Sequence, residues 1–246
     1  MSANVNLMPK KKRVAIVASN PSTSTQTGWP IGFWWSELTH PYWEFTEQGF
    51  EVEIFSPEGG PLSADGFSDP EDPSEYSASD LISLGFKKSA KHMVLIENTK
   101  PIAELKLKDF DAIFLSGGQG PMYTFYNNAQ LHKLFVDFYE SGKVAACICH
   151  ATCILLKAKT SDGKLLVNGK TWTGFANSEE AFADSFVGMK IQPFWIEEEA
   201  SKIKGTNYIN GGLFRPFAVR DNNLVTGQQQ FSGQAAARLV IEALGV

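Results

Sequence analysis

Three short apolar runs, each stopped by a turn, constrain this chain more than any other feature. They are Val14-Ala15-Ile16-Val17-Ala18, the stretch 110–115 ending in Ser116-Gly117-Gly118, and Val144-Ala145-Ala146-Cys147 running into further cysteines. None alternates apolar with polar residues, so each has to be covered on both faces, as strands of a parallel sheet are. Residues 51–56 read as another strand. Between the runs, the spacing predicts helices over about 30–48 and 131–139, stopped by Gly49 and Gly142. Strands alternating with helices define an α/β fold, a doubly wound, mostly parallel sheet flanked by helices. Toward the end, 217–220 and 224–226 flank a polar turn and read as a hairpin. Ser232 suits the N-cap of a last helix over about 233–244. The chain, 1–246, reads as one domain. Residues 57–92, which open on a stretch rich in Pro, Gly, Ser and acidic side chains, read as a surface insertion. Residues 1–12 read as a lead-in outside the fold.

Charge and cysteine usage narrow the function classes. With 22 basic against 27 acidic side chains the net charge is −5, which argues against a broad nucleic-acid surface. No apolar run reaches the ~18–20 residues of a membrane span, and the start lacks a signal-peptide core, so the expectation is a cytoplasmic protein with no membrane partner. Three cysteines are an odd number for a disulfide framework. Their placement matters more: Cys147, Cys149 and Cys153 share one seven-residue stretch with His150.

That cluster does not fit a metal site, because zinc ligands come as paired C-x2-4-C and no second pair exists. Haem attachment and thioredoxin-like redox chemistry need C-x-x-C, which is absent. A nucleophile on a strand-to-helix elbow fits better. Such a turn lifts Cys149 to the rim of the sheet, at a helix N-terminus. The His150 amide, with a second donor from Gly117-Gly118, would face a developing oxyanion. Cys147, in the strand, and Cys153, one helical turn beyond Cys149, read as small buried hydrophobes. No histidine follows His150, which argues against glutamine hydrolysis. A carboxylic acid raised by desolvation is then the natural proton partner for the thiol.

Six segments in order resemble one family. Thr27-Gly28 with Glu37-Leu38-Thr39-His40-Pro41, Ser56-Pro57-Glu58-Gly59-Gly60, residues 110–120 around Gly117-Gly118, and residues 144–150 ending Cys149-His150 are four of them. Residues 169–175, Gly-Lys-Thr-Trp-Thr-Gly-Phe, and Val225-Thr226-Gly227-Gln228 with Ser232 complete the set. Together they resemble the PfpI-type superfamily of class I amidotransferase-like folds, in its glyoxalase III and heat-shock chaperone branch. The resemblance implies a flavodoxin-like sandwich and a homodimer. It implies conversion of a small reactive carbonyl, methylglyoxal or a related 2-oxoaldehyde, to a 2-hydroxy acid such as D-lactate, with no cofactor and no metal. It makes Cys149 the nucleophile, His150 its neighbour, Glu37 the partner of the thiol and Glu180 the acid that orients the histidine, with Glu179 one register away. Gly118 and His150 become the oxyanion donors. Trp29, Gly117 and Trp172 are candidates for the substrate pocket.

The sequence departs from that pattern in two places. Ala151-Thr152 stands where the family has Gly-Pro, and Gln228-Gln229-Gln230 where it has Gln-Asn-Pro. The segment with Trp29, Phe33, Trp34 and Trp35 is rich in aromatics, which suits either a substrate bulkier than methylglyoxal or core packing. Two other readings stay open at this point. One is a stress-protective chaperone or redox sensor with an oxidisable Cys149. The other is a cysteine amidase or peptidase.

Overall fold

The computed structural model describes residues 11–245. The lead-in expected over 1–12 therefore lies, apart from 11 and 12, outside the described residues. In chain order the elements are β1 (Arg13–Val17), β2 (Ser22–Thr23), β3 (Pro30–Ile31), α1 (Trp35–Glu47), β4 (Glu51–Ser56), α2 (Leu81–Lys88), α3 (Ala90–Glu97), β5 (Lys100–Pro101), β6 (Ala112–Leu115) and α4 (Pro121–Thr124). Then follow α5 (Ala129–Glu140), β7 (Val144–Ile148), a 3-10 helix (Cys149–Leu156), β8 (Thr171–Trp172), α6 (Asn177–Val187), α7 (Ile196–Ser201), β9 (Asn207–Tyr208), β10 (Ala218–Asp221), β11 (Leu224–Gly227) and α8 (Gly233–Ala243).

Seven strands form the central sheet in the order β10-β11-β7-β6-β1-β4-β5, parallel throughout except for the β10–β11 hairpin. The three apolar runs are its middle: Val14 pairs with Ala112, and Ala112 in turn with Val144. Their side chains alternate between two cores. Val14, Ile16, Phe114 and Ala146 join α1 and α8, whereas Ala15, Val17, Ile113 and Cys147 join α5 on the other face. Cys153 packs in that second core, as expected for a small hydrophobe.

The strand order reverses between β1 and β6. In an open α/β sheet the crevice at such a switch point, beyond the carboxyl ends of the strands, is where ligands bind. Here it brings the ends of β1, β6 and β7 together, and with them Gly117-Gly118 and Cys149.

Three local expectations are revised. The helix expected from about residue 30 begins only at Trp35, because the preceding backbone is claimed elsewhere: Gly32 N–H donates to Asp65 Oδ1 (2.9 Å), Phe33 to the Ser63 carbonyl (3.1 Å) and Trp34 to the Gly117 carbonyl (3.2 Å). Ser232 holds the expected N-cap position of α8, but its side chain makes no capping bond; its Oγ accepts from the Phe217 and Gln229 amides (both 3.2 Å) and ties the hairpin to the helix start. Residues 57–92 are only partly a surface insertion. They carry α2 and begin α3, bury Asp65, Ser68 and Phe86, and send Phe67 and Tyr76 over the carboxyl rim of the sheet.

Candidate active site

Cys149 follows directly on β7 with φ = +55°, a left-handed conformation that a residue bearing a Cβ adopts only when its surroundings impose it. The strand behind it is buried at every position, so the turn cannot relax. This is the strained elbow expected from the sequence, although the helix that follows is 3-10. Thr152 closes that helix with a hydroxyl bond to the Cys149 carbonyl (2.6 Å). Gly174 lies so close that an added Cβ would sit 2.2 Å from Thr152 Oγ1, so Thr152 fills the space beside the Thr173-Gly174-Phe175 turn.

Around Cys149 Sγ the structure gathers four groups. The backbone amides of Gly118 and His150 face the sulfur, and Gly118 reaches this position with φ = +105°, which suits glycine alone. His150 Nδ1 is 3.4 Å from Sγ, and its Nε2 is 3.0 Å from Glu180 Oε1. Phe175 stacks on the His150 ring with centroids 4.3 Å apart. The fourth group is the Glu37 carboxyl, carried in by the first turn of α1 and completely enclosed. It faces the Cys149 thiol and the amides of Gly117 and Gly118, but neither oxygen has a partner of good hydrogen-bond geometry among the described residues.

Burial explains the electrostatics. Desolvation pushes Glu37 up to about 8, against smaller opposing contributions from the thiol and the two amides. Burial likewise pushes the Cys149 thiol up, and an ionised Glu37 would push it further, while the Gly118 and His150 amides pull it down. Burial thus works against the lowering expected from the place of Cys149 at a helix start. Glu37 keeps its proton near neutrality, and the pair carries less negative charge than two ordinary acids would. Glu180 is also raised by burial, with His150 opposing.

The register ambiguity at the start of α6 is resolved. Glu180 turns to His150. Glu179 turns away and accepts from the amides of Ala176 (3.0 Å) and Phe214 (2.9 Å) and from Gln228 Nε2 (2.7 Å). The three glutamines that replace Gln-Asn-Pro are struts: Gln228 holds Glu179, Gln229 holds the Arg215 carbonyl, and Gln230 reaches the Tyr76 hydroxyl.

A cavity of about 100 Å³ opens over Cys149. Of the three pocket candidates Trp29 lines it, and so does Gly118. Gly117 lies beneath it instead, where an added Cβ would come within 2.1 Å of Glu37 Oε2 and 2.7 Å of the Cys149 Cβ. Trp172 does not reach it: the indole is buried, donates to Thr206 Oγ1 (2.8 Å) and packs edge-on to Tyr208. Sequence reasoning missed Asp65. Fully buried and raised by desolvation to about 7, it accepts from the amides of Gly32 (2.9 Å) and Gln119 (2.7 Å) and so fixes the turn that carries Gly118.

A cysteine on a strained turn at the carboxyl rim of a doubly wound sheet, with a histidine–glutamate pair and a buried acid beside the sulfur, defines a class of cysteine α/β proteins. The chain belongs to the DJ-1/PfpI family, whose match covers residues 32–243. It is 28% identical to a glutathione-independent glyoxalase of Saccharomyces cerevisiae, over 97% of this chain and 99% of the relative. Among solved structures it is similar to a rapid encystment protein of Francisella tularensis (TM-score 0.84, 26% identity, 95% of this chain and 99% of the other). It is also similar to glyoxalase III from Candida albicans (TM-score 0.75, 25% identity, 94% and 97% of the two chains).

Proposed function

We propose that the protein is a glutathione-independent glyoxalase, converting 2-oxoaldehydes such as methylglyoxal to 2-hydroxy acids. The observation that carries this reading is Glu37: an enclosed carboxyl, raised to about 8, set against the thiol of a cysteine on a strained turn. A hydrolase needs no acid in that place. A reaction that moves protons between neighbouring carbons and oxygens does, and a group with a pKa near the working pH gives and takes protons most effectively. The glyoxalase names of the relatives support the same reading.

The chemistry follows from the placement of the groups. His150 takes the thiol proton as Sγ adds to the aldehyde carbon, and the new oxyanion rests on the Gly118 and His150 amides before regaining that proton. The product is a hemithioacetal. His150 then removes the hydrogen from the former aldehyde carbon while Glu37 protonates the keto oxygen, giving an enediol. The histidine returns its proton to the adjacent carbon, and Glu37 recovers one from the other hydroxyl, leaving a thioester. Water hydrolyses the thioester and frees the thiol. The net change adds one water; one carbon is oxidised and its neighbour reduced, with no external electron acceptor. Glu180 keeps the imidazole oriented through Nε2.

The test is formation of D-lactate from methylglyoxal without glutathione, with loss on Cys149→Ala and on Glu37→Ala. Purified protein with an intact thiol that turns over no 2-oxoaldehyde would refute the reading. A cytoplasmic homodimer remains part of the proposal. Light scattering of the purified chain reads its oligomeric part.

A further inference from the structure

We infer that the cavity over Cys149 is shaped for a 2-oxoaldehyde bearing an aromatic substituent, an arylglyoxal, in preference to methylglyoxal. The inference rests on the glyoxalase reading and names the substrate class of the same site. Two aromatic walls carry it. On one side Trp29, Phe67, Tyr76 and Trp34 form a chain of edge-to-face contacts with successive centroids 6.1, 6.4 and 6.0 Å apart. The segment that supplies Phe67 and Tyr76 adds nothing to the chemistry at sulfur except Asp65. On the other side, α6 presents Phe182 and Phe186 nearly parallel (interplanar angle 7°), with Phe214 edge-on to Phe182 at 5.3 Å.

Phe182 and Phe186 are 48% and 68% exposed although they line the cavity. Four residues apart, they stand on one stretch of α6 with the smaller Ala183 and Val187, which also line the cavity and leave room between the rings. Two half-exposed phenylalanines are an unfavourable surface unless something apolar covers them. Phe175 carries the aromatic lining inward to the His150 ring, so the covering group shares one space with the reacting carbon. A methyl group leaves most of this surface uncovered, whereas a phenyl ring meets it by offset and edge contacts.

A phenyl ring has five more carbons than a methyl group. With half of their burial realised in the transition state, the gain in kcat/KM is on the order of thirtyfold. The experiment compares phenylglyoxal with methylglyoxal in the full-length protein and in a Phe182→Ala, Phe186→Ala double variant. The expected ratio of kcat/KM values is about thirty, falling at least fivefold in the double variant. A Phe182→Leu, Phe186→Leu variant guards against misfolding and should lose part of the ratio. A wild-type ratio near one overturns the inference. So does a ratio untouched by the variants, including the case where they change only self-association.

A second measurement does not need turnover. Alkylation of Cys149 by 2-bromoacetophenone and by bromoacetone, followed by intact mass and normalised to the same pair reacting with free glutathione, should favour the aryl reagent at least tenfold. Aryl preference in labelling without turnover of either aldehyde supports the cavity assignment and removes the glyoxalase reading. Methylglyoxal turnover with no aryl preference in either measurement overturns the cavity assignment and leaves the glyoxalase reading intact.

Discussion

Replacing Glu37 with glutamine keeps the shape of the buried side chain and removes its titration. Glu37 moves from an ordinary 4.5 to about 8 on folding, chiefly by desolvation. A raised acid binds its proton more tightly in the native state than in the unfolded chain. Between these two values the unfolded state therefore carries fewer protons, and stability falls as pH rises. At 1.36 kcal/mol per pH unit, the group costs the native state about 3 kcal/mol at pH 7 and about 5 kcal/mol above pH 8, relative to a side chain that does not titrate. Glu37→Gln should accordingly match wild type near pH 4.5 and gain on it by about 1.4 kcal/mol per pH unit up to pH 8. Glyoxalase kcat should fall by roughly 10²- to 10⁴-fold, the usual contribution of a positioned proton donor. Urea unfolding at pH steps from 5 to 8.5, followed by tryptophan fluorescence, reads the first effect, and lactate formation the second. If the two stability curves run parallel across that range, Glu37 is not a raised acid and the proton-shuttle argument falls with it.

The other substitutions separate roles within the site. Glu180→Gln should lower kcat about 10- to 100-fold with little change in melting temperature, because it disturbs the orientation of His150. Glu179→Ala should do the reverse, costing about 1–3 kcal/mol of stability for the three donors it leaves unmatched; equal effects of the two on kcat would refute the register. Gly117→Ala forces a methyl group into the contact between Glu37 and Cys149 and should abolish turnover, read as lactate formation by protein that still gives the wild-type circular dichroism spectrum. Asp65→Asn removes a charge that raises Glu37 and loosens the Gln119 amide, so the alkaline limb of the kcat–pH profile should move to lower pH; an unchanged limb would show that Asp65 only holds the turn. Iodoacetamide followed by peptide mapping should label Cys149 ahead of Cys147 and Cys153, both fully buried in the second core; equal labelling of the three would refute a special role for Cys149.

What the sequence could reveal depended on whether a residue's partners lie near it along the chain. The strands at 14–17, 112–115 and 144–148 were legible because burial on both faces leaves a continuous apolar run. Cys149 was legible because the buried run at 144–148 leads straight into the cysteine and histidine cluster. Glu37 was legible only through the ordered segments, since a lone carboxylate on a helix reads as solvated, and nothing local says that Gly117 and Cys149 will close over it. Asp65 had no local signal at all: it sits among Ser, Asp, Gly and Pro, and its partners Gly32 and Gln119 are 33 and 54 residues away. Trp172 misled for the opposite reason. It lies inside a motif that borders the site, yet its alternation in β8 turns the indole into the core and leaves Phe175, three residues on, against His150. The same logic separates chemistry from specificity. The reacting groups sit at strand ends and turns, which sequence order fixes. The aromatic walls come from α6 and from the 57–92 segment, whose meeting over Cys149 is set by packing. Substrate choice in this fold can therefore change through residues such as Phe67, Phe182 and Phe186 while the elbow, the histidine and the buried acid stay as they are.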